Sequence, residues 1–293
     1  MLRTISAVFV SLCIAKPCWS DLPLSIEDLL TEKNEFRVEF GLNYANADRK
    51  NLNTRFDSVQ VGPGSFILLP VDVRNQRQNS DVFALTLGAR YGITDKTEIY
   101  SRLTALAEDI RTQDGTETDN SSSQLWHEFV LGINHQFSEE NDTPALLGFA
   151  EISAIENTDM DKFNFVYGKS GQIGFTTYRS IDPVVLSLTA GYRYAGSRNV
   201  DGQKIDPGDL LFINPSLGFA INNKVTVSGG ALFRFRGKDK VTGDHSGMRT
   251  SQTDLGFGLG YAASKDVTLH FNILSDISGD TGAQTGFNLI YKM

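Results

Sequence analysis

Apolar and polar residues alternate one for one along most of this chain. In residues 34–44, "NEFRVEFGLNY", Phe36, Val38, Phe40, Leu42 and Tyr44 fall on one side of an extended backbone, and Arg37, Glu39, Gly41 and Asn43 fall on the other. A period of two is the signature of a β-strand with one apolar and one polar face. The alternation returns at 83–91, 125–134, 184–194, 225–236 and 254–261. It ends at 286–292, where Phe287, Leu289 and Tyr291 oppose Gly286, Asn288 and Lys292. Short connections (93–97, 138–144, 180–183, 222–224 and 263–266) take turns with long polar ones (46–80, 108–123, 157–170, 196–208, 237–250 and 275–281). Counting hairpins predicts an all-β chain of about twelve antiparallel strands.

Alternation alone leaves the facing open. In a soluble sheet the aromatic side is the core; in a membrane barrel it meets lipid and the polar side lines the lumen. Segregation of the connections by length favours the transmembrane up-and-down barrel, with tight turns on the periplasmic side and long loops outside. Tyr44, Tyr91, Tyr100, Phe137, Tyr178, Tyr192, Tyr194, Phe219, Tyr261 and Tyr291 sit at or near strand ends, where amphipathic rings collect at the headgroup level. The closing "QTGFNLIYKM" presents Gly286, Leu289 and Tyr291 and resembles the C-terminal recognition signal of bacterial barrels, although it ends in Met293 rather than Phe. The expected partners are therefore outer-membrane lipid and the barrel-assembly machinery of a Gram-negative cell. One stretch resists: in "ALLGFAEISAI" the parity of Glu151 conflicts with that of Leu147 and Phe149, so its facing stays open.

The N-terminus breaks the pattern. Residues 1–20 carry Arg3, an apolar run from Ile5 to Ala15, and Cys18 and Ser20 before Asp21, the layout of a secretory signal peptide. Both cysteines, Cys13 and Cys18, lie in it, so the processed chain has no disulfide, zinc–thiolate site or cysteine nucleophile. Losing Arg3 and Lys16 leaves 25 basic against 35 acidic residues, a net charge of −10. Such an acidic exported chain has no cationic surplus with which to bind nucleic acid. Residues 21–33 follow as a short leader in which Ile26, Leu29 and Leu30 form an apolar stripe. It is either one or two turns of helix, lying in the periplasm or plugging the barrel mouth, or a flexible leader. The barrel itself is expected over 34–293.

Little in the chain suggests catalysis, and no enzyme, cofactor or metal site is expected. His127 and His135 share parity with apolar residues and read as interfacial side chains. His245, between Asp244 and Ser246 in a long loop, does not make a triad by sequence adjacency alone. "NTDMD" at 157–161 holds two carboxylates on a loop, more simply solvated than calcium-binding. Gly256, Gly258 and Gly260 share the inward parity, with no helix after them to cradle a phosphate. The informative chemistry is the inward face: Arg37, Glu39, Arg90, Glu98, Arg102, Glu128, Arg193, Arg234, Arg236, Asp254, His270 and Lys292 are expected to line the lumen. Either these charges set a field across an open bore, or they form a closed network that rigidifies a barrel acting through its outer loops.

Residues 61–107 add a resemblance. An apolar Gly/Pro-containing loop, a "DVR" turn, "ALTLGARYGIT" and "TEIY" come in an order that looks like the outer-membrane transporter of the functional-amyloid (Fap) secretion system. It also resembles the family named for the meta-pathway of phenol degradation. The resemblance implies a channel, in some relatives a homotrimer. Its cargo would be a small aromatic or hydrophobic solute in the phenol-degradation relatives and a secreted fibre subunit in the amyloid exporter. The exporter's long periplasmic coiled coil is missing here, which weakens the secretion reading. The loop "SFILL" at 65–69 then has three placements: in the barrel mouth, at a subunit interface, or as an extension of the second strand.

Overall fold

The computed structural model describes residues 30–50, 56–70, 77–114, 117–158, 163–200, 202–246, 248–278 and 281–293. The expected signal at 1–20, together with Ile26 and Leu29, lies outside the described residues. Chain order runs β1 (Phe36–Lys50), β2 (Phe56–Gly62), β3 (Ser65–Pro70), β4 (Arg77–Thr94), β5 (Thr97–Asp114), β6 (Glu117–Ser138), β7 (Ala145–Asn157), β8 (Phe165–Tyr167), β9 (Ser170–Ile181) and β10 (Val184–Ala195). It continues with β11 (Arg198–Val200), β12 (Gln203–Asp206), β13 (Leu210–Asn222), β14 (Val225–Arg236), β15 (Asp239–Val241), β16 (Asp244–Ser246), β17 (Thr250–Ala262), β18 (Val267–Asp276) and β19 (Thr281–Lys292).

Twelve strands close into an antiparallel ring in the order β1-β4-β5-β6-β7-β9-β10-β13-β14-β17-β18-β19. The last strand returns to the first, with Phe40 opposite Leu289 and Arg37 opposite Lys292. Closure leaves no unpaired strand edge, the condition for placing a sheet in hydrocarbon. The apolar parity points outward. Phe40, Leu85, Ile133, Leu186, Phe257 and Phe271 are each more than a third exposed, while Arg37, Glu98 and Glu128 are buried. In water such a band of exposed large side chains would drive aggregation; facing acyl chains it costs nothing. No helix of the described residues is long and apolar enough to cross a membrane.

The structure settles the ambiguous strand. In β7, Leu147, Phe149, Glu151 and Ser153 all face inward, and Leu146 and Ile152 face out. Parity conflicted because Leu147 and Phe149 are inward apolar residues. Two long connections also differ from their expected form. Residues 108–123 are largely not a loop: β5 and β6 run on as a ladder to Asp114 opposite Glu117. Parts of 196–208 and 237–250 form a separate four-stranded sheet, β11-β12-β15-β16.

The first long connection supplies the main surprise. Its strands β2 and β3 pair into a hairpin that folds inside the ring. Val59, Val61 and Ile67 pack against Ala45, Val82, Ala84 and Leu106 of β1, β4 and β5. On the other side, Phe66 packs with Leu210, Phe212 and Leu232, its ring centroid 4.8 Å from that of Phe212. Leu68 packs with Ala195 and Ile205. Each of these large side chains contributes about 1.5–3 kcal/mol by leaving water. The hairpin is therefore a packed core element, and the "SFILL" run belongs in the mouth of the barrel.

Candidate functional site in the barrel lumen

The hairpin tip turns at Pro63–Gly64, where Gly64 has a φ of +66°, a conformation open to glycine at no steric cost. Wall residues from four directions hold it. Asn43 Nδ2 donates to Val61 O at 3.5 Å and Gln172 Nε2 to Gly64 O at 2.5 Å. Arg102 Nη1 donates to Ser65 Oγ at 2.8 Å, and Arg234 Nη1 to Ser58 O at 2.5 Å and Ser58 Oγ at 3.0 Å.

One arc of the inner wall carries most of the charge, and the charges neutralise one another. Glu98, fully buried, accepts from Thr31 N at 2.7 Å, Arg90 Nη1 at 2.9 Å and Asn134 Nδ2 at 2.6 Å. Arg90 Nε also meets Glu39 at 2.6 Å. Arg102 lies 3.4 Å from Glu151, which accepts from Tyr100 OH at 3.0 Å. Arg193 stands among three carboxylates, Glu128 at 2.9 Å and Glu151 and Glu156 at 3.8 Å each, and Ser153 Oγ donates to Glu128. Arg198 adds an ion pair to Glu156 at 3.7 Å. Toward the long-connection end, Arg234 pairs with Asp254 at 2.6 Å and Arg236 with Asp239 at 2.7 Å. At the tight-turn end Arg37 is buried in register with Arg90 and Lys292, and His270 lies opposite Gly260 and Asn288.

Midway along β9, β10, β13, β14, β17 and β18, between these charges, the wall carries neutral groups. Thr176 and Thr189 hydroxyls are 3.0 Å apart, and Ser187 and Ser216 hydroxyls 2.6 Å apart. Around them Thr226, Ser228, Gly256, Gly258, Asn272 and Asn288 face a cavity of about 420 Å³, bordered on the charged side by Glu39, Arg90, Tyr100 and Arg102 and above by the hairpin tip. Glycine makes room for wall side chains to lie flat. At Gly132 a Cβ would run into the Tyr100 ring. Gly132→Ala is expected to push Tyr100 off Glu151 and to destabilise the barrel by about 1–3 kcal/mol, as overpacking does. An unchanged urea midpoint would contradict that contact.

Two histidines part company. His135 lies on the outer face, Nδ1 2.9 Å from Thr97 Oγ1, with Phe137 edge-on at 4.9 Å. His127, expected at the interface, is buried instead: it is the extra residue of a β-bulge between Thr104 and Ala105, which breaks the parity. The same bulge turns Trp126 onto Phe165, their centroids 5.2 Å apart. His245 lies exposed on β16 opposite Lys240. Asp159 and Asp161 fall outside the described residues, and among the described residues no group of three His, Cys, Asp or Glu could hold a metal. In β19, Gly286 pairs with Asn43, Leu289 with Phe40 and Tyr291 with Val38. Tyr100, expected in the aromatic girdle, instead points inward to Glu151, and reading charges by parity passed over Glu156, Gln172 and Arg198. Gln172 was legible, since it alternates with Ile173 and Phe175. Glu156 and Arg198 were not, because a bulge precedes one and the other sits in an apparent loop.

With this geometry in hand, comparison with known proteins decides the family. The model of the family described as "Putative MetA-pathway of phenol degradation" matches residues 35–291, nearly the whole barrel. The chain belongs to that family. No protein of curated function matches it in sequence. Among solved structures it is similar to the COG4313 outer membrane channel from Pseudomonas putida F1, at 8% identity and a TM-score of 0.66, covering 90% of this chain and 97% of that one. It is also similar to the translocator domain of the autotransporter NalP from Neisseria meningitidis, at 11% identity and a TM-score of 0.56, covering 90% of each chain. At these identities the likeness is one of fold. The protein is a closed twelve-stranded β-barrel with an apolar outer band, and the lumen just described is its interior.

Proposed function

We propose that this member of the phenol-degradation family is a non-enzymatic, passive channel that moves small solutes across the outer membrane. The observation that carries the reading is the roughly 420 Å³ cavity within a closed ring of strands. A purely structural barrel has no use for such a space, since filling it with side chains would gain stability. The family description supports an aromatic cargo. The Arg90, Arg102 and Glu39 side chains are the lumen-lining charges nearest that solute.

Residues 31–35 bear on the proposed plug of Ile26, Leu29 and Leu30. Glu35 N donates to Glu32 O at 3.1 Å, closing a turn in which Asn34 has a φ of 65°, and Asn34 N donates to Gly92 O at 2.8 Å. Lys33 pairs parallel to Gly92 of β4, a strand running toward the tight-turn end. A side chain at Gly92 would strike the Glu32 carbonyl, so residues 31–33 lie tight against β4. The test is planar-bilayer recording of the refolded processed chain beside a version lacking residues 21–30. Steady openings in both support the channel, and a higher conductance after truncation supports the plug. Silence in both, with the folded barrel intact by heat-modifiable migration, sinks the channel reading in favour of a structural barrel acting through its loops.

A further inference from the structure

We infer that the barrel releases an apolar solute sideways, through a seam between β13 and β14 into the hydrocarbon of the membrane; this rests on the channel reading. The wall lacks one rung at that seam. Ile213 pairs with Phe233 and Ser216 with Gly230 in a single register, but Asn214 and Pro215 make no pairing with Leu232 and Ala231. On its other side the same stretch pairs without a break, Asn214 opposite Thr189 and Pro215 opposite Leu188. In an antiparallel ladder both missing pairings depend on one bond, from the amide of residue 215 to the carbonyl of residue 231. Proline has no N–H with which to make it, and for that reason is normally confined to sheet edges. Pro215 instead stands midway along its strand, in the interior of the ring.

The cavity reaches this seam from inside. Asn214, Ser216, Gly230 and Leu232, which flank the missing bond, all line it. Beside them it is also lined by Phe257, Leu259, Phe271 and Ile273, residues whose side chains face lipid. Gly230, Gly256 and Gly258 hold inward positions without a side chain, so little more than backbone separates lumen from lipid there. The outer surface is open at the same level. Gly229 lies between Leu217 on β13 and Phe257 on β17, and a Cβ added to it would meet nothing closer than 3.9 Å. Phe257, 68% exposed, and Leu217 thus wall an apolar slot with an open floor. For an apolar solute the sideways route avoids two costs. Leaving along the axis means passing Glu39, Arg90 and Arg37, charged groups that lose water and gain nothing from it. It then means entering water, whereas the slot delivers the solute from one apolar surrounding to another. Strands part most easily where a ladder bond is already absent.

The test follows an apolar probe and ions separately. Entry of N-phenyl-1-naphthylamine, which fluoresces on reaching hydrocarbon, is timed in outer-membrane vesicles carrying the full processed chain, and ion conductance of the same protein is recorded in planar bilayers. Vesicles with the chain are expected to take up the probe faster than vesicles without it. Pro215→Val restores the amide of the missing rung, and Gly229→Leu fills the slot between Leu217 and Phe257 without altering the ladder. Each is expected to slow probe entry several-fold and to leave conductance unchanged, because ions do not leave through lipid. Heat-modifiable migration establishes that each variant is folded, and Gly229→Leu carries the test alone if Pro215→Val does not fold. Probe entry that no folded variant slows overturns the inference. So does a matched fall in entry and conductance, which would put the exit on the barrel axis. In the unaltered chain, probe entry without ion conductance would refute the aqueous channel and leave the seam standing; conductance without probe entry would do the reverse.

Discussion

Replacing residues 57–69 with a short glycine–serine linker is expected to raise single-channel conductance several-fold, the largest functional change available in this molecule. The hairpin is packed on both faces: Val59, Val61 and Ile67 against β1, β4 and β5, and Phe66 and Leu68 against the walls formed by β10, β13 and β14 and the nearby Ile205. A twelve-stranded ring is intermediate between barrels filled by side chains and those that leave an aqueous channel, so what occupies its interior decides whether it conducts. Removing the hairpin takes out the apolar filling and leaves Ala45, Ala84 and Leu106 facing water, without breaking any ring pairing. Arg234→Ala makes the same point more gently. Arg234 clasps both the Ser58 carbonyl and Asp254, so its loss should produce flickering openings. Conductance that stays at the full-chain value after the deletion would mean that the constriction lies elsewhere, at the level of Arg90 and Glu98.

The largest stability effect is expected from Arg193→Ala. Arg193 is 2% exposed and sits among Glu128, Glu151 and Glu156, all of them buried. Taking away the cation strips Glu128 of its ion pair and leaves Glu151 and Glu156 with Arg102 and Arg198 as their remaining cations, and breaking a buried pair in this way costs about 3–5 kcal/mol. The partial remedy is to remove charge from the other side. Glu128→Gln in the Arg193→Ala background should recover a measurable part of the loss, since the two residues share one network and their effects should not add. Urea titration of refolded barrels, followed by heat-modifiable migration, reads both. A loss under about 1 kcal/mol, the scale of an exposed ion pair, would show that water reaches this cluster freely.

These two predictions draw on different kinds of information. The ring was legible from the chain alone, because period-two alternation is imposed by the pleat and by the contrast between lipid outside and polar lumen inside. The alternation of short and long connections likewise follows from up-and-down topology. Phe40, Leu85 and Phe257 could be placed on the outer face from parity, and the C-terminal strand could be counted as the twelfth. Parity failed where the backbone departs from a regular ladder. His127 is buried because a bulge inserts one residue opposite Thr104 and Ala105, and a bulge has no marker in composition. It also failed at Leu147 and Phe149, where an apolar residue on the inner face looks, in sequence, like one on the outer face.

What the sequence by itself determined is the wall: about twelve strands, their order, and, outside β7 and the bulge at His127, which residue of each pair faces lipid. Only the tertiary structure decided what fills the wall. Nothing local marks residues 56–70 as interior rather than as a surface hairpin, because their burial depends on Ala45, Val82, Phe212 and Leu232, residues from distant strands that meet only once the ring has closed. For the same reason the pairing of Arg193 with three glutamates and the meeting of Gln172 with Gly64 could not be read along the chain. Alternation is a property of one strand and its two surroundings; complementarity across a lumen is a property of the closed barrel.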